Sequence, residues 1–370
     1  MKIDGTPYRS LWWDAEEDGL RVINQLALPF HLDTLLIRTA DEAAQAIRSM
    51  AVRGAPLIGL TGAYGLALAL RHDASDSTQE SAAQALLATR PTAVNLRYAI
   101  ESTWAHVRPL PLAQRATAAL IHSHQLAEED VALCHAIGQH GLTLIQTAWE
   151  RRGRQGAVQI LTHCNAGWLA TVDWGTALAP IYAAHDLGIP VHVWVDETRP
   201  RNQGALLTAL ELGWHGVPHT IITDNAGGHL MQRGEVDMCI VGADRVTTRG
   251  DTANKIGTYL KALAAHDNGV DFYVALPSPT IDWRMDDGLQ DIPIEERATT
   301  EVLQVQGMDA SQVLRTVRIA APNSRAANPA FDVTPARLVS AFITERGVIA
   351  PTDLHRWKPL QSSAKTAYLS

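Results

Sequence analysis

Ala157-Val158-Gln159-Ile160-Leu161-Thr162-His163-Cys164-Asn165-Ala166-Gly167 opens on an apolar run that reads as a buried strand and closes on the turn that leaves it. A second stretch, Met238-Cys239-Ile240-Val241-Gly242-Ala243-Asp244-Arg245, follows the same plan. It carries a carboxylate where the first carries a thiol. Outward from these two, further apolar runs at 191–196, 219–223 and 272–276 alternate with helical stretches at 176–187, 203–214, 225–233 and 252–266. Strands alternating with helices predict a parallel sheet with crossover connections. Near-continuous apolar strands predict cover on both faces. Residues 317–320 are expected to add a strand and 335–346 a closing helix.

Towards the N-terminus the texture differs. Strand-like alternation is confined to the first few dozen residues, and about 40–150 reads as helical. Asp41-Glu42 is read as capping a helix to Met50, and 81–89, 114–126 and 131–149 continue the pattern. The apolar stretch 57–70 is Gly-rich and shorter than the roughly 20 residues that span a bilayer, so it reads as a buried helix. The expected fold is therefore α/β. A smaller, mainly helical N-terminal domain (1–135) joins a Rossmann-like parallel-sheet C-terminal domain (136–358), with a loose polar tail (359–370).

Composition bounds the function. The chain has 370 residues, 46% hydrophobic and 19% charged, with a formal charge of −8. No Lys/Arg block stands out, which argues against a nucleic-acid partner. A net negative chain that takes an anion must do so through a local cluster of cations and backbone N–H groups. Three widely spaced cysteines, Cys134, Cys164 and Cys239, give neither a disulfide framework nor a paired-cysteine metal site. Met1-Lys2-Ile3-Asp4-Gly5 has no apolar signal core, so the expected compartment is the cytoplasm, with no membrane association. There is no Walker-type phosphate loop, no G-x-G-x-x-G, no H-E-x-x-H and no serine nucleophile elbow. Neither a nucleotide cofactor nor a metal is expected.

The chemistry-bearing residues stand at carboxyl ends of strands, the edge where open α/β sheets bind ligands. Cys164, in a strand-to-turn position near backbone N–H groups, is expected to favour the thiolate. Asp244, after a buried strand, is expected to hold its proton and serve as a general acid. The turn Asp196-Glu197-Thr198-Arg199-Pro200 lies on the same edge. Arg53-Gly54-Ala55-Pro56 offers a guanidinium beside flexible backbone, and Asn254-Lys255-Ile256-Gly257 lies near a predicted helix start. Both suit phosphate. Arg97 is a third cationic candidate. Cys134 and Cys239 read as core.

Taken in order, these segments resemble the S-methyl-5-thioribose-1-phosphate isomerases of methionine salvage. That superfamily also holds ribose-1,5-bisphosphate isomerases and the regulatory subunits of translation initiation factor 2B. The resemblance runs from about Arg53 to Ile349. It also takes in Gln203-Gly204-Ala205, Gly250-Asp251, Ile292-Pro293-Ile294-Glu295-Glu296-Arg297 and Asn328-Pro329-Ala330-Phe331-Asp332. It implies an aldose–ketose isomerase with Cys164 and Asp244 as the catalytic pair. Arg53, Ala55, Arg97, Gln203, Asn254 and Lys255 would bind a sugar phosphate, and the protein would be a homodimer without cofactor. Related readings are an isomerase of another pentose 1-phosphate, such as 5-deoxyribose 1-phosphate, and a non-catalytic regulatory binding protein. Residues 226–229 and 168–174 depart from the family pattern and are expected to shape the pocket around the sugar's 5-substituent.

Overall fold

The computed structural model describes residues 1–358; the tail expected at 359–370 lies outside them. After a short antiparallel hairpin of Lys2–Ile3 and Thr6–Pro7, the N-terminal lobe forms a three-stranded antiparallel sheet, Leu11–Asp14, Gly19–Ile23 and Thr34–Ile37. Helices Ala40–Ser49, Ala55–His72, Asp76–Leu87 and Val94–Val107 pack on it around Leu20, Val22, Ile47, Leu57, Leu66 and Ile100. The first helix is capped by Thr39 together with Glu42 of the expected Asp41-Glu42 pair. Thr39 and Glu42 form a reciprocal capping box, which satisfies two backbone N–H groups at once.

The two helical stretches expected at 114–126 and 131–149 form one 40-residue helix, Leu112–Arg151. At 1.5 Å per residue it is about 60 Å long. Leu126 and Ala127 belong to the first lobe's core, Ile137, Leu142 and Ile145 to the second's. The boundary expected after residue 135 therefore falls inside a helix, because one apolar stripe serves both cores.

The second lobe is built on a seven-stranded sheet. Six strands are parallel: Val158–Thr162, Val191–Asp196, His219–Ile222, Met238–Val241, Asp271–Ala275 and Ala341–Thr344. Gly347–Ile349 adds an antiparallel edge. Numbered along the chain, the parallel strands stand in the order 3-2-1-4-5-6. Alternate side chains enter opposite cores. Ile160, Val193, Ile240 and Ile343 face the long helix, while Leu161, Val241, Val274 and Phe342 face the helix Thr258–Asp267. The Rossmann-like sheet is thus present, with two corrections.

The closing helix expected at 335–346 is instead a short turn and a strand. Ala341-Phe342-Ile343-Thr344 is wholly buried and feeds both cores, a pattern that period two satisfies and period 3.6 does not. The helix expected from 252 begins at Thr258, because Thr252–Lys255 is a strand. It lies in a second, four-stranded sheet with Arg245–Thr247, Phe331–Thr334 and Ile281–Asp282. The strand expected at 317–320 appears as Leu314–Arg318, paired with Gln304–Met308 in a separate hairpin. Among the described residues, no helix is long and apolar enough to cross a membrane.

Candidate active site

The strand order reverses between Val158–Thr162 and Met238–Val241, and loops leaving neighbouring strands diverge at such a point to leave a crevice. Cys164 and Asp244 leave these two strands. Both line one cavity, together with Arg53, Gly54, Ala55, Arg90, Gln203, Asn254, Lys255 and Phe331. Every sequence-predicted site residue except Arg97 is in that lining. Arg97 stands off the buried face of helix Val94–Val107 and pairs with Glu101 at 3.4 Å.

The turn that holds Cys164 is tightly specified. Its φ of 68° is left-handed, an uncommon conformation for a non-glycine residue. Its N–H donates to Thr198 Oγ1 at 2.8 Å, and its carbonyl accepts from Thr208 Oγ1 at 2.7 Å. The thiol points to Gln203 Oε1 at 3.4 Å. Gly204 follows, and a Cβ there would lie 1.8 Å from the Asp196 carbonyl oxygen, so only glycine fits. A π-helical turn, Gly204–Thr208, then leads into helix Ala209–His215; such turns are frequent at functional sites.

Behind Cys164, His163 Nδ1 lies 2.8 Å from Asp196 Oδ2, and Nε2 lies 2.8 Å from the Ile256 carbonyl. Lys261 Nζ is 3.2 Å from the same Asp196 oxygen. Asp224 brings a carboxylate to within 4.8 Å of the His163 and Asp196 ligand atoms. With both ring nitrogens engaged and an ammonium among the carboxylates, this group braces the ends of two strands. His163 thereby ties the Cys164 turn to the segment that carries Lys255.

Asp244 donates its backbone N–H to Ala253, which fixes it against the strand of Asn254 and Lys255. The Lys255 ammonium sits 4.5 Å from the Phe331 ring centroid. Arg53 is buried, and its guanidinium grips the Asn165 carbonyl at 2.8 Å and its side-chain oxygen at 2.8 Å. Gly54, at φ +100°, passes so close to Ala170 that a Cβ would meet its carbonyl oxygen at 2.4 Å. The helix Ala55–His72 therefore begins at the cavity wall, with no side-chain cap on its first turn. That arrangement favours an anion.

Burial dominates the electrostatics. It pushes the Cys164 thiol up, against the pull of Lys255 and Arg53. Cys164 is therefore not the ready thiolate expected from its turn; no α-helix follows it, only the short turn Trp168–Ala170. Burial likewise raises the Asp244 carboxyl against Lys255, Arg90 and Arg53, so its proton is retained more readily. Lys255 is lowered by burial and held up by Cys164 and Asp244. Three cations thus concentrate in the cavity of a chain whose net charge is −8.

Arg90 is the residue that sequence reasoning missed. It lines the cavity and is held by Glu295 through Nε at 3.1 Å and a second nitrogen at 2.9 Å. Its signal was Arg90-Pro91, since a residue before proline is driven out of helical geometry and into a connecting segment. The 168–174 stretch contributes Ala170 and Thr171 to the cavity. Residues 226–229 do not line this cavity; they open helix Ala226–Gln232.

A family model described as the Initiation factor 2 subunit family matches residues 51–351. Among relatives, the chain is 62% identical over 348 residues to the methylthioribose-1-phosphate isomerase of Gluconobacter oxydans, covering 94% of this chain and 95% of that one. It is also 62% identical over 354 residues to the protein of that name from Acidiphilium cryptum, covering 95% and 96%. A solved structure of 5-methylthioribose 1-phosphate isomerase from Pyrococcus horikoshii superposes with a TM-score of 0.79 at 37% identity, covering 95% of this chain and 94% of that one. A solved structure of translation initiation factor eIF-2B, subunit delta, from A. fulgidus gives 0.75 at 40% identity, covering 94% and 97%.

Proposed function

The chain belongs to the initiation factor 2 subunit family, and within it we propose that the protein is an aldose–ketose isomerase. It converts S-methyl-5-thio-α-D-ribose 1-phosphate to S-methyl-5-thio-D-ribulose 1-phosphate in methionine salvage. One observation carries the reading: a thiol and a carboxyl from the two strands at the order reversal share a cavity with Arg53, Arg90 and Lys255. The names of the relatives agree with it.

In the proposed mechanism the three cations and the first turn of helix Ala55–His72 hold the phosphate. Protonated Asp244 gives its proton to the ring oxygen, and the bond from that oxygen to C1 breaks. Cys164, as thiolate, removes the C2 proton, which leaves a C1=C2 enol phosphate. The thiol, whose proton exchanges with water while the enol phosphate is bound, then protonates C1 as the C2 hydroxyl proton passes to Asp244. The C2 carbonyl forms, and both groups regain their starting protonation states. Each such proton transfer contributes about 10²–10⁴-fold. Gln203 and Asn254 orient the sugar.

A second cavity, which shares Met50, Arg53 and Gln203 with the first, is lined by Leu28, Leu206 and Leu207 together with polar Gln25, Arg201 and Glu301. We assign the 5-substituent to its three leucines. Loss of one such group costs roughly 10–200-fold in kcat/KM. A 5-deoxy sugar is therefore a poorer substrate than the methylthio sugar by that order. We take the enzyme to be a cytoplasmic homodimer, which sedimentation of the purified protein checks.

The test is turnover. The purified protein, given the methylthio sugar phosphate, yields the ketose by NMR. In D₂O, deuterium enters C1 if the proton-transfer route holds, and full retention of the C2 hydrogen favours a hydride shift. The 40% identity to the A. fulgidus chain favours a second reading, a regulatory sugar-phosphate or nucleotide binder. Binding without any turnover would select it.

A further inference from the structure

Glu211 lies behind the cavity, fully buried, on helix Ala209–His215. Its carboxylate accepts from Asn165 Nδ2 at 2.6 Å, Trp168 N–H at 2.7 Å, Leu169 N–H at 3.3 Å and the Tyr182 hydroxyl at 3.1 Å. The chain makes room for it, because a Cβ on Gly167 would lie 1.9 Å from Glu211 Oε2.

Arg53 forms no ion pair with a carboxylate among the described residues. Its guanidinium instead holds both oxygens of Asn165. A side-chain amide can flip, and only one orientation serves both neighbours. Glu211 accepts and so demands Nδ2, as does Thr208 Oγ1 at 3.1 Å, whose own proton goes to the Cys164 carbonyl; the oxygen is then turned to Arg53. Arg53 lines both cavities, and its Nε is buried without a partner. An unmet buried donor on a charged group is costly and points to an acceptor supplied from outside the fold.

We propose that Glu211 is a positioning residue for phosphate: acting through the Asn165 amide, it fixes the Arg53 guanidinium at the cavity wall with Nε left for a substrate oxygen. The proposal rests on the sugar-phosphate reading above, but inorganic phosphate tests it without turnover.

The experiment measures the rise in Tm with inorganic phosphate, and KM and kcat with the methylthio sugar, for the whole chain. Glu211→Gln keeps the shape but turns one of the two acceptor oxygens into a donor, so the Asn165 Nδ2 and the Trp168 N–H compete for the single oxygen left. We expect its half-saturating phosphate concentration and its KM to rise ~10-fold or more, with kcat changed far less. In an Arg53→Ala background the same change adds nothing further, because its route is gone. Tyr182→Phe, which removes one hydrogen bond to Glu211 but leaves the Asn165 link, keeps wild-type phosphate affinity. If Glu211→Gln does not fold, Asn165→Ser severs the same link and is read the same way. Wild-type phosphate affinity in the linking variants, effects additive with Arg53→Ala, or no stabilisation of the wild type by phosphate would each overturn the proposal. Absence of ketose formation with the phosphate pattern intact would overturn only the isomerase reading.

Discussion

Arg90 and Arg97 lie on one stretch of chain, yet only Arg90 lines the cavity. A guanidinium held at two points by Glu295 is preorganised to meet phosphate oxygens. Arg90→Ala should raise KM ~10-fold or more, the worth of one charge-assisted contact, while Arg97→Ala stays within about 2-fold. Steady-state kinetics on the two variants checks this. Cys164→Ser and Asp244→Asn should each lower kcat ~10²–10⁴-fold, with thermal melts close to wild type. The pH profile carries a sign. The productive form holds one proton between the pair, on Asp244. Thus kcat/KM rises until the first group titrates and falls after the second. Burial raises both groups, so both limbs should lie above the ordinary carboxyl and thiol ranges.

Which residues face the cavity was legible wherever a strand end dictated it. Cys164 and Asp244 each follow an apolar run that can only be buried, and the chain must turn at its end. Arg97 was misplaced because charge and proximity in sequence do not reveal helix phase. Asn95, Leu96, Ala99 and Ile100 take the buried face of that helix. The upward push on the Cys164 thiol was not legible for a related reason, since its burial and the charges of Lys255, Arg53 and Asp244 reach it only through the tertiary fold.

Among elements, two connections govern the site. The π-helical turn after Gln203 has no room for a side chain at Gly204. Gly204→Ala should cost ~1–3 kcal/mol or more, read from the urea midpoint, since the clash is with backbone. The long helix fastens to the 168–175 loop through buried Asp130, which accepts the Val172 N–H at 2.8 Å. Burial pushes Asp130 up to about 7. The folded state therefore holds a proton that the unfolded chain releases at lower pH. This contribution to stability is full below the ordinary carboxyl range and is lost as pH rises through about 7. Asp130→Asn, which needs no proton, should match wild type near pH 4 and exceed it by up to ~4 kcal/mol at pH 8, seen in Tm against pH. The strand Ala341–Thr344 shows what composition hides. Pro335 and Ala336 opened a helical-looking stretch, but a four-residue run buried on both sides has room only in a sheet.

At the scale of the molecule, the alternation of strands and helices after residue 155 was readable, but the neighbours in the sheet were not. No local pattern makes the first strand adjoin the fourth; right-handed crossovers and the cover of both faces do. That adjacency is what brings the thiol and the carboxyl to one crevice. The two cores are also joined mechanically. Because Ile137 and Leu126 lie on one helix, unfolding should be a single transition by calorimetry and by tryptophan fluorescence. Ile137→Ala, at a cost of ~2–5 kcal/mol, should lower both signals together.

The shared helix also limits how lobes can be exchanged among relatives. A chimera joined at residue 135 would splice half a helix from one parent onto half from another, so that one continuous apolar seam would have to satisfy two foreign interiors. Recombination that keeps Leu112–Arg151 whole, with Gly138 and Gly141 still nested on Ala179 and Pro180, preserves the parental fit of at least one interior. A chimera in this architecture is therefore best cut outside the helix, in the short connections on either side of it.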